Sequence, residues 1–412
     1  MRTYDDTSAP VPPAPDGEEL PPFPMARTCP YRPPAGYDRL TEQGPVARAR
    51  LFDGRVVWCV TGHAETRELL LDHRLSSDWQ NPGFPVVVPR GTESMGKIQI
   101  PLIGVDDPHH ARHRRLVMRG FTARRVKALR PQIQEIADGL LDAMERRGPT
   151  ADLVAEYALP LSVMVICRLL GVPVTDREFF EEQTRRLLTG PEHNDIEDAR
   201  LQLLTYLDGL LAVKAGTPGE GLLDELVAGQ AENGAVDRHE LVGIGFVLLL
   251  GGIETTANMI ALSTFTLLEH PEQTAELRSD ENLLPGAVEE LLRFLSVTDG
   301  IMRVAGEEIE IGGRTIAAGD GVFFPVAAAN RDPFVYEAPD TLDLHRPARS
   351  HLAFGHGSHQ CVGQNLARHE LEIALHALFG RFPDLSLAVP STEIAPRSPE
   401  AVQGVTTLTV TW

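Results

Sequence analysis

The chain has 412 residues, with 58 acidic against 38 basic side chains and a net charge of −20. That charge makes a phosphate backbone a poor partner, while a hydrophobic share of 42% is ordinary for a globular enzyme. The longest apolar run, Ile244 to Ile253, is interrupted by glycine and is shorter than the ~18 residues that a bilayer span requires, so no membrane association is expected.

Residues 1–24 are rich in proline and acid and show no periodicity, which predicts a disordered extension. Residues 25–412 are read as one large domain, because the motifs below interlock from end to end. No charged-then-apolar leader opens the chain, and a cytoplasmic protein acting as a monomer is expected. A strand is predicted at Arg55–Val60. His110 and Arg114 follow, four apart and so on one helix face. They form either a solvated basic face or a pair suited to grip carboxylates. From Pro108 to Gln134 there is no Asp or Glu, while Arg112, Arg114, Arg115, Arg119, Arg124, Arg125, Lys127 and Arg130 all fall there.

Long helical patterns dominate from Thr122 to Glu269. The last of them, Leu241–Glu269, is the most apolar and yet carries Gly251 and Gly252. Two glycines cost a helix roughly 1 kcal/mol each relative to alanine. They are expected to open room for a flat ligand against the backbone, or to kink the helix. Glu254 and Thr255 follow at once, as an acid–alcohol pair able to pass protons or as a threonine bonded back to its own helix. Glu290 and Arg293 are spaced for an i,i+3 ion pair. Strand signals return at Arg303 and in the glycine-turned run Glu308–Phe324, and again at Val405–Trp412. The fold class is mainly α with a small β region.

Four cysteines, Cys29, Cys59, Cys167 and Cys361, lack the pair spacing of a zinc site or redox disulfide. Cys167 lies in an apolar run and is expected in the core. Cys361 is different. It closes the loop Phe354-Gly-His-Gly-Ser-His-Gln-Cys361-Val-Gly363, and a helical pattern starts at Gln364. A following helix N-terminus depresses a thiol pKa. Gly357 and Gly363 let backbone N–H groups close on the sulfur, and Phe354 keeps water away. Such a thiolate suits an axial ligand of haem iron.

The run Phe354-x-x-Gly357-x-His359-x-Cys361-x-Gly363 resembles the haem-binding signature of the cytochrome P450 superfamily. The other motifs follow in that family's order, and Val60–Asp78 is similar to the opening of its soluble actinobacterial members. The resemblance implies a single P450-fold domain and haem b with Cys361 as its axial thiolate. It assigns His110, Arg114, Arg303 and His359 to the propionates, Gly251 and Gly252 to the haem face, and Glu254 and Thr255 to proton delivery. Glu290, Arg293 and Arg346 become a structural lock. The implied reaction inserts one oxygen of O2 into a C–H bond of a hydrophobic small molecule, in secondary metabolism such as antibiotic biosynthesis. Epoxidation, desaturation and oxidative coupling share that site, and a haem sensor without turnover is the alternative from another class. The basic run would face a ferredoxin served by a separate reductase. No Gly-x-Gly-x-x-Gly supplies a flavin or nicotinamide domain within the chain. The substrate pocket is expected from residues 79–103, 179–211, the distal helix within Leu241–Glu269, 297–301 and 403–406, the first rich in Phe84, Val86, Val87, Val88, Ile98 and Leu102, with Arg90 among its few charges.

Overall fold

The computed structural model describes residues 20–87, 100–189, 193–217, 219–233, 236–397 and 402–412. Its helices are α1 (Asp38–Thr41), α2 (His63–Leu71), α3 (His109–Met118), α4 (Ala123–Arg147), α5 (Leu159–Leu170), α6 (Arg177–Thr189), α7 (His193–Gly216), α8 (Leu222–Asn233), α9 (Arg238–Leu268), α10 (Pro271–Ser279), α11 (Leu284–Leu295), α12 (Val326–Ala329) and α13 (Gln364–Arg381). The strands are β1 (Pro22–Phe23), β2 (Val46–Leu51), β3 (Val56–Val60), β4 (Leu75–Ser76), β5 (Thr150–Asp152), β6 (Ile301–Ala305), β7 (Ile309–Ile311), β8 (Arg314–Ile316), β9 (Gly321–Phe324), β10 (Ser386–Leu387) and β11 (Thr409–Thr411).

α9 is the axis of the body. By length and composition it is apolar enough to cross a membrane, but it is packed among α5, α7 and α13, which makes it a core helix. Its start is fixed by a capping box: Asp237 Oδ1 accepts from Glu240 N at 2.8 Å, and Glu240 Oε2 accepts from Asp237 N at 3.0 Å. α5 is stopped by Gly171 in the left-handed region at φ 75°. α13 lies on α4 and α9 and so ties the segment after Cys361 to the core.

The main sheet runs β1-β2-β3-β9-β6-β4, with β3 parallel to β9 and β9 antiparallel to β6. Cys59 on β3 pairs with Phe323 and is fully buried. The predicted strand run Glu308–Phe324 resolves into the β7–β8 hairpin and β9. A smaller sheet, β10-β11-β5, joins the C-terminus to the chain after α4.

The extension expected over residues 1–24 ends earlier than its composition suggests. Pro22–Phe23 pairs with Arg50–Leu51, and Leu20 and Phe23 are buried, Phe23 edge-on to Phe323 at 4.4 Å. One buried aromatic and a free sheet edge order this piece despite its prolines, which edge strands tolerate. Residues 1–19 lie outside the described residues.

Candidate active site

The loop before α13 is shaped by two left-handed glycines, Gly355 at φ 68° and Gly357 at φ 75°. A Cβ on Gly357 would fall 2.3 Å from Leu70 O, so no side chain fits. Gly363 needs no left-handed backbone to turn its N–H onto the sulfur: its φ is −84°, and a Cβ there would rest 3.8 Å from Cys361 Sγ, an ordinary contact. Cys361 N donates to Phe354 O at 2.9 Å and closes the loop. The sulfur faces an internal cavity. Burial pushes its thiol above the ordinary value, while the N–H groups of Gly363 and Gln364 and the guanidinium groups of Arg114 and Arg368 pull it down.

The cavity measures about 390 Å³ and lies between this loop and α9. α9 crosses it and stays α-helical through Gly251 and Gly252. The glycines serve separate needs. A Cβ on Gly251 would meet no atom within 4 Å, which leaves that face open to the cavity, whereas one on Gly252 would strike Ile166 Cδ1 at 2.7 Å on α5. Thr255 lines the cavity, and its Oγ1 donates to Gly251 O at 2.7 Å. Glu254 is turned instead onto Arg397, whose Nη1 lies 3.2 Å from its Oε1.

One edge of the cavity is basic, with two arginines beside two histidines: His110, Arg114, Arg303 and His359 all line it. Asp107 accepts from Ala111 N at 2.9 Å and holds His110 Nδ1 at 3.3 Å, leaving the buried Nε2 with no hydrogen-bond partner among the described residues. The His110 and His359 rings stack with centroids 3.7 Å apart. Among the described residues Arg303 donates only to its neighbour's carbonyl, Met302 O, at 2.7 Å, and burial pushes it down to about 10. His359 is pushed down to about 3 by burial and by Arg303, His110 and Arg114. No carboxylate pairs with Arg114 or Arg303 among the described residues. Buried charges without counter-ions are costly, so this edge is built to receive anions. A flat group with two carboxylates and a metal facing Sγ, which is haem, fits the donor set.

A second network lies behind the loop. Glu289 accepts from Arg368 Nε at 2.6 Å and pairs with His351 Nε2 at 3.0 Å, and Arg368 covers the Phe354 ring at 4.7 Å. Burial raises the Glu289 carboxyl, but His351 and Arg368 overcome it and bring the group to about 2. Its stabilisation is therefore complete above the ordinary value of 4.5 and is lost as pH falls toward 2. Glu289→Gln is expected to remove roughly 2 kcal/mol of stability at neutral pH and to flatten the acid limb of urea unfolding between those values. Further along α13, Glu370 is buried beside the cavity, and its Oε2 has no hydrogen-bond partner among the described residues. Burial raises that carboxyl well above its ordinary value.

Glu290, Arg293 and Arg346 meet beneath the site. Arg293 Nε lies 2.7 Å from Glu290 Oε2, with both side chains fully buried, and Arg346 Nε lies 3.1 Å from Glu290 Oε1. Arg293 Nη1 also donates to Asn330 O and Pro339 O, each at 2.9 Å.

The basic run divides. Arg112 pairs with Glu240, Arg125 with Glu225 and Arg130 with Glu372. Arg115, Arg119, Arg124 and Lys127 are exposed and carry no ion pair among the described residues. The pocket segments divide too. Trp79, Phe84, Leu102, Ile103, Val297, Thr298, Gly300 and Ile301 line the cavity. Val247 and Leu248 of α9 line it as expected, whereas no described residue of 179–211 or 403–406 does so, and Ile166 of α5 joins the wall instead. Residues 88–99, with Val88, Arg90 and Ile98, lie outside the described residues.

Comparison with known proteins agrees with this geometry. The cytochrome P450 family model matches residues 215–402. Pentalenic acid synthase of Streptomyces avermitilis is 56% identical over 95% of this chain and 97% of its own. Vitamin D3 dihydroxylase of Streptomyces griseolus is 49% identical over 97% and 98%. The crystal structure of GfsF, a cytochrome P450 of Streptomyces halstedii, superposes with a TM-score of 0.90 at 44% identity, covering 95% of this chain and all of that one. The chain belongs to the cytochrome P450 family and is a monooxygenase whose cofactor is haem with an axial cysteine thiolate.

Proposed function

We propose that this P450 hydroxylates an uncharged, apolar small molecule of secondary metabolism, with Cys361 as the iron ligand and a ferredoxin as electron donor. The observation that carries the substrate class is the cavity wall across from the sulfur. It is built from Trp79, Phe84, Leu102, Val247, Leu248 and Val297, with hydroxyl groups only from Thr255, Thr256 and Thr298. The two lining arginines gather at one edge and are absorbed by the cofactor's carboxylates, so no guanidinium or ammonium group remains among the described lining residues to hold a charged substrate. Relatives named for pentalenic acid and vitamin D3 support a small-molecule substrate.

When bound, haem supplies reductive O2 activation, placing one oxygen in a C–H bond and releasing the other as water. The chain does the rest. The N–H groups at the start of α13 hold negative charge on Sγ. His110, Arg114, Arg303 and His359 bind the propionates. Gly251 lets a flat group lie against α9. Thr255 presents its hydroxyl to the cavity and hands on protons, which Glu254 resupplies from the next position on the helix. Thr255→Ala is the test: haem content is expected to stay unchanged while most reducing equivalents emerge as hydrogen peroxide instead of product. Unchanged product per NADPH would contradict the relay.

For the donor, the four exposed cations Arg115, Arg119, Arg124 and Lys127 form the docking charge, and a cytoplasmic ferredoxin supplies its acidic complement. Arg125 and Arg130 are committed to internal pairs and serve the fold. Arg115→Glu with Arg119→Glu is expected to raise the donor's KM about 10-fold at low ionic strength, an effect that salt erases. An unchanged KM in stopped-flow reduction would remove docking from this face.

A further inference from the structure

The C-terminal segment reaches α9 beside Thr255. Pro396 bridges Val405, and Arg397 N donates to Gly404 O at 2.9 Å, so two arms run as a hairpin. One arm is joined to the cavity wall. Gln403 N donates to Val297 O at 2.7 Å, and Val402 bridges Thr298. Val297 and Thr298 both line the cavity. The other arm carries Arg397, 3.2 Å from the Glu254 carboxylate, with side chains only 10% and 21% exposed. A third contact binds the hairpin to the same turn of α9. Asn258 Nδ2 donates to Glu254 O at 2.9 Å, and a Cβ on Gly404 would fall 1.8 Å from Asn258 Oδ1.

We propose that Arg397 is a latch on Glu254, released when the cavity is filled against Val297 and Thr298; this rests on reading Glu254 as the proton supplier. In the ion pair the carboxylate is deprotonated and turned away from the cavity that Thr255 faces. To resupply Thr255 it must leave Arg397. Release in an empty enzyme would feed protons to O2 reduction with no C–H bond to attack, and hydrogen peroxide would result. A latch opened by the substrate suppresses that loss. Arg397 is thus a positioning residue, acting through Glu254, and the hairpin is the element shared by wall and latch.

Linkage makes the idea measurable without turnover. If filling the cavity weakens the pair, removing the pair must tighten whatever fills the cavity, by the same factor. The probe is clotrimazole, a bulky apolar azole, titrated into the holoenzyme by its Soret shift. Imidazole, which reaches the iron without filling the wall, is the control. Arg397→Ala and Glu254→Gln are each expected to tighten clotrimazole about 5-fold, the lower end for coupled sites. Imidazole affinity should not move, the double variant should gain nothing further, and Arg397→Lys should stay near wild type. An unchanged or weakened ratio of clotrimazole to imidazole affinity in Arg397→Ala overturns the latch. The underlying reading fails separately: Glu254→Gln with an unchanged partition of NADPH between product and peroxide refutes the proton supplier and the latch together. A changed partition with an unchanged affinity ratio refutes the latch alone.

Discussion

Replacing Arg293 by methionine is expected to cost about 3–5 kcal/mol of stability, the range for stripping one partner from a buried ion pair. The substitution nearly keeps the volume and deletes the charge. It leaves the fully buried Glu290 facing only Arg346 and Asp343 N, each at 3.1 Å. It also orphans Asn330 O and Pro339 O, which anchor the long loop toward Cys361. Arg293→Lys keeps a charge but not a planar fork that serves a carboxylate and two carbonyls at once, so it is expected to recover only part of the loss. Urea unfolding followed by circular dichroism measures both. A loss below about 1 kcal/mol for the methionine variant would mean that the pair is not the lock its burial indicates.

The basic edge predicts effects of opposite sign on the protein with and without its cofactor. On the proposed assignment, Arg114→Leu or Arg303→Leu would remove a charge-assisted bond to a propionate, worth about 1.5–3 kcal/mol. Each is expected to speed haem loss to a competing apoprotein by about 10- to 100-fold, and the double variant by more. The same substitutions should stabilise the haem-free protein, because each deletes a partly buried guanidinium with no carboxylate partner among the described residues. A loss of stability in the haem-free state would show that these arginines support the fold and not the ligand. Arg293 predicts the reverse pattern, since its partners belong to the protein.

What could be read from the sequence follows from how local each feature is. The cysteine loop, the His110–Arg114 spacing and the Glu290–Arg293 spacing each lie within one short stretch, so periodicity and residue type reveal them. The family resemblance then supplied Arg346, Arg303 and His359, whose long separations carry no signal of their own. Long-range partners stayed hidden. Arg397 is 143 residues from Glu254, and composition cannot show that the carboxylate turns toward it. Glu289 carries no local signal of its own, yet it gathers Arg368 and His351 from two other segments. Glu370 reads as one more charged residue in Arg-His-Glu, and only burial on all sides marks it.

The divided basic run teaches the same lesson. Eight cations without an acid in 27 residues suggested one surface, but the acids that neutralise three of them arrive from α8, α9 and α13. Charge patterning along one segment cannot see counter-charges supplied by another. Similarly, the tandem glycines of α9 looked like one device and are two, one open to the cavity and one packed against α5.

The measurement that bears most directly on the whole account is the carbon monoxide difference spectrum of the purified protein after dithionite reduction. The account predicts a strongly red-shifted Soret band, the mark of thiolate ligation, and its loss in Cys361→His with haem retained. A wild-type band at the position of histidine-ligated haem would contradict Cys361 as the axial ligand, and with it the roles assigned to the loop, the basic edge and α9.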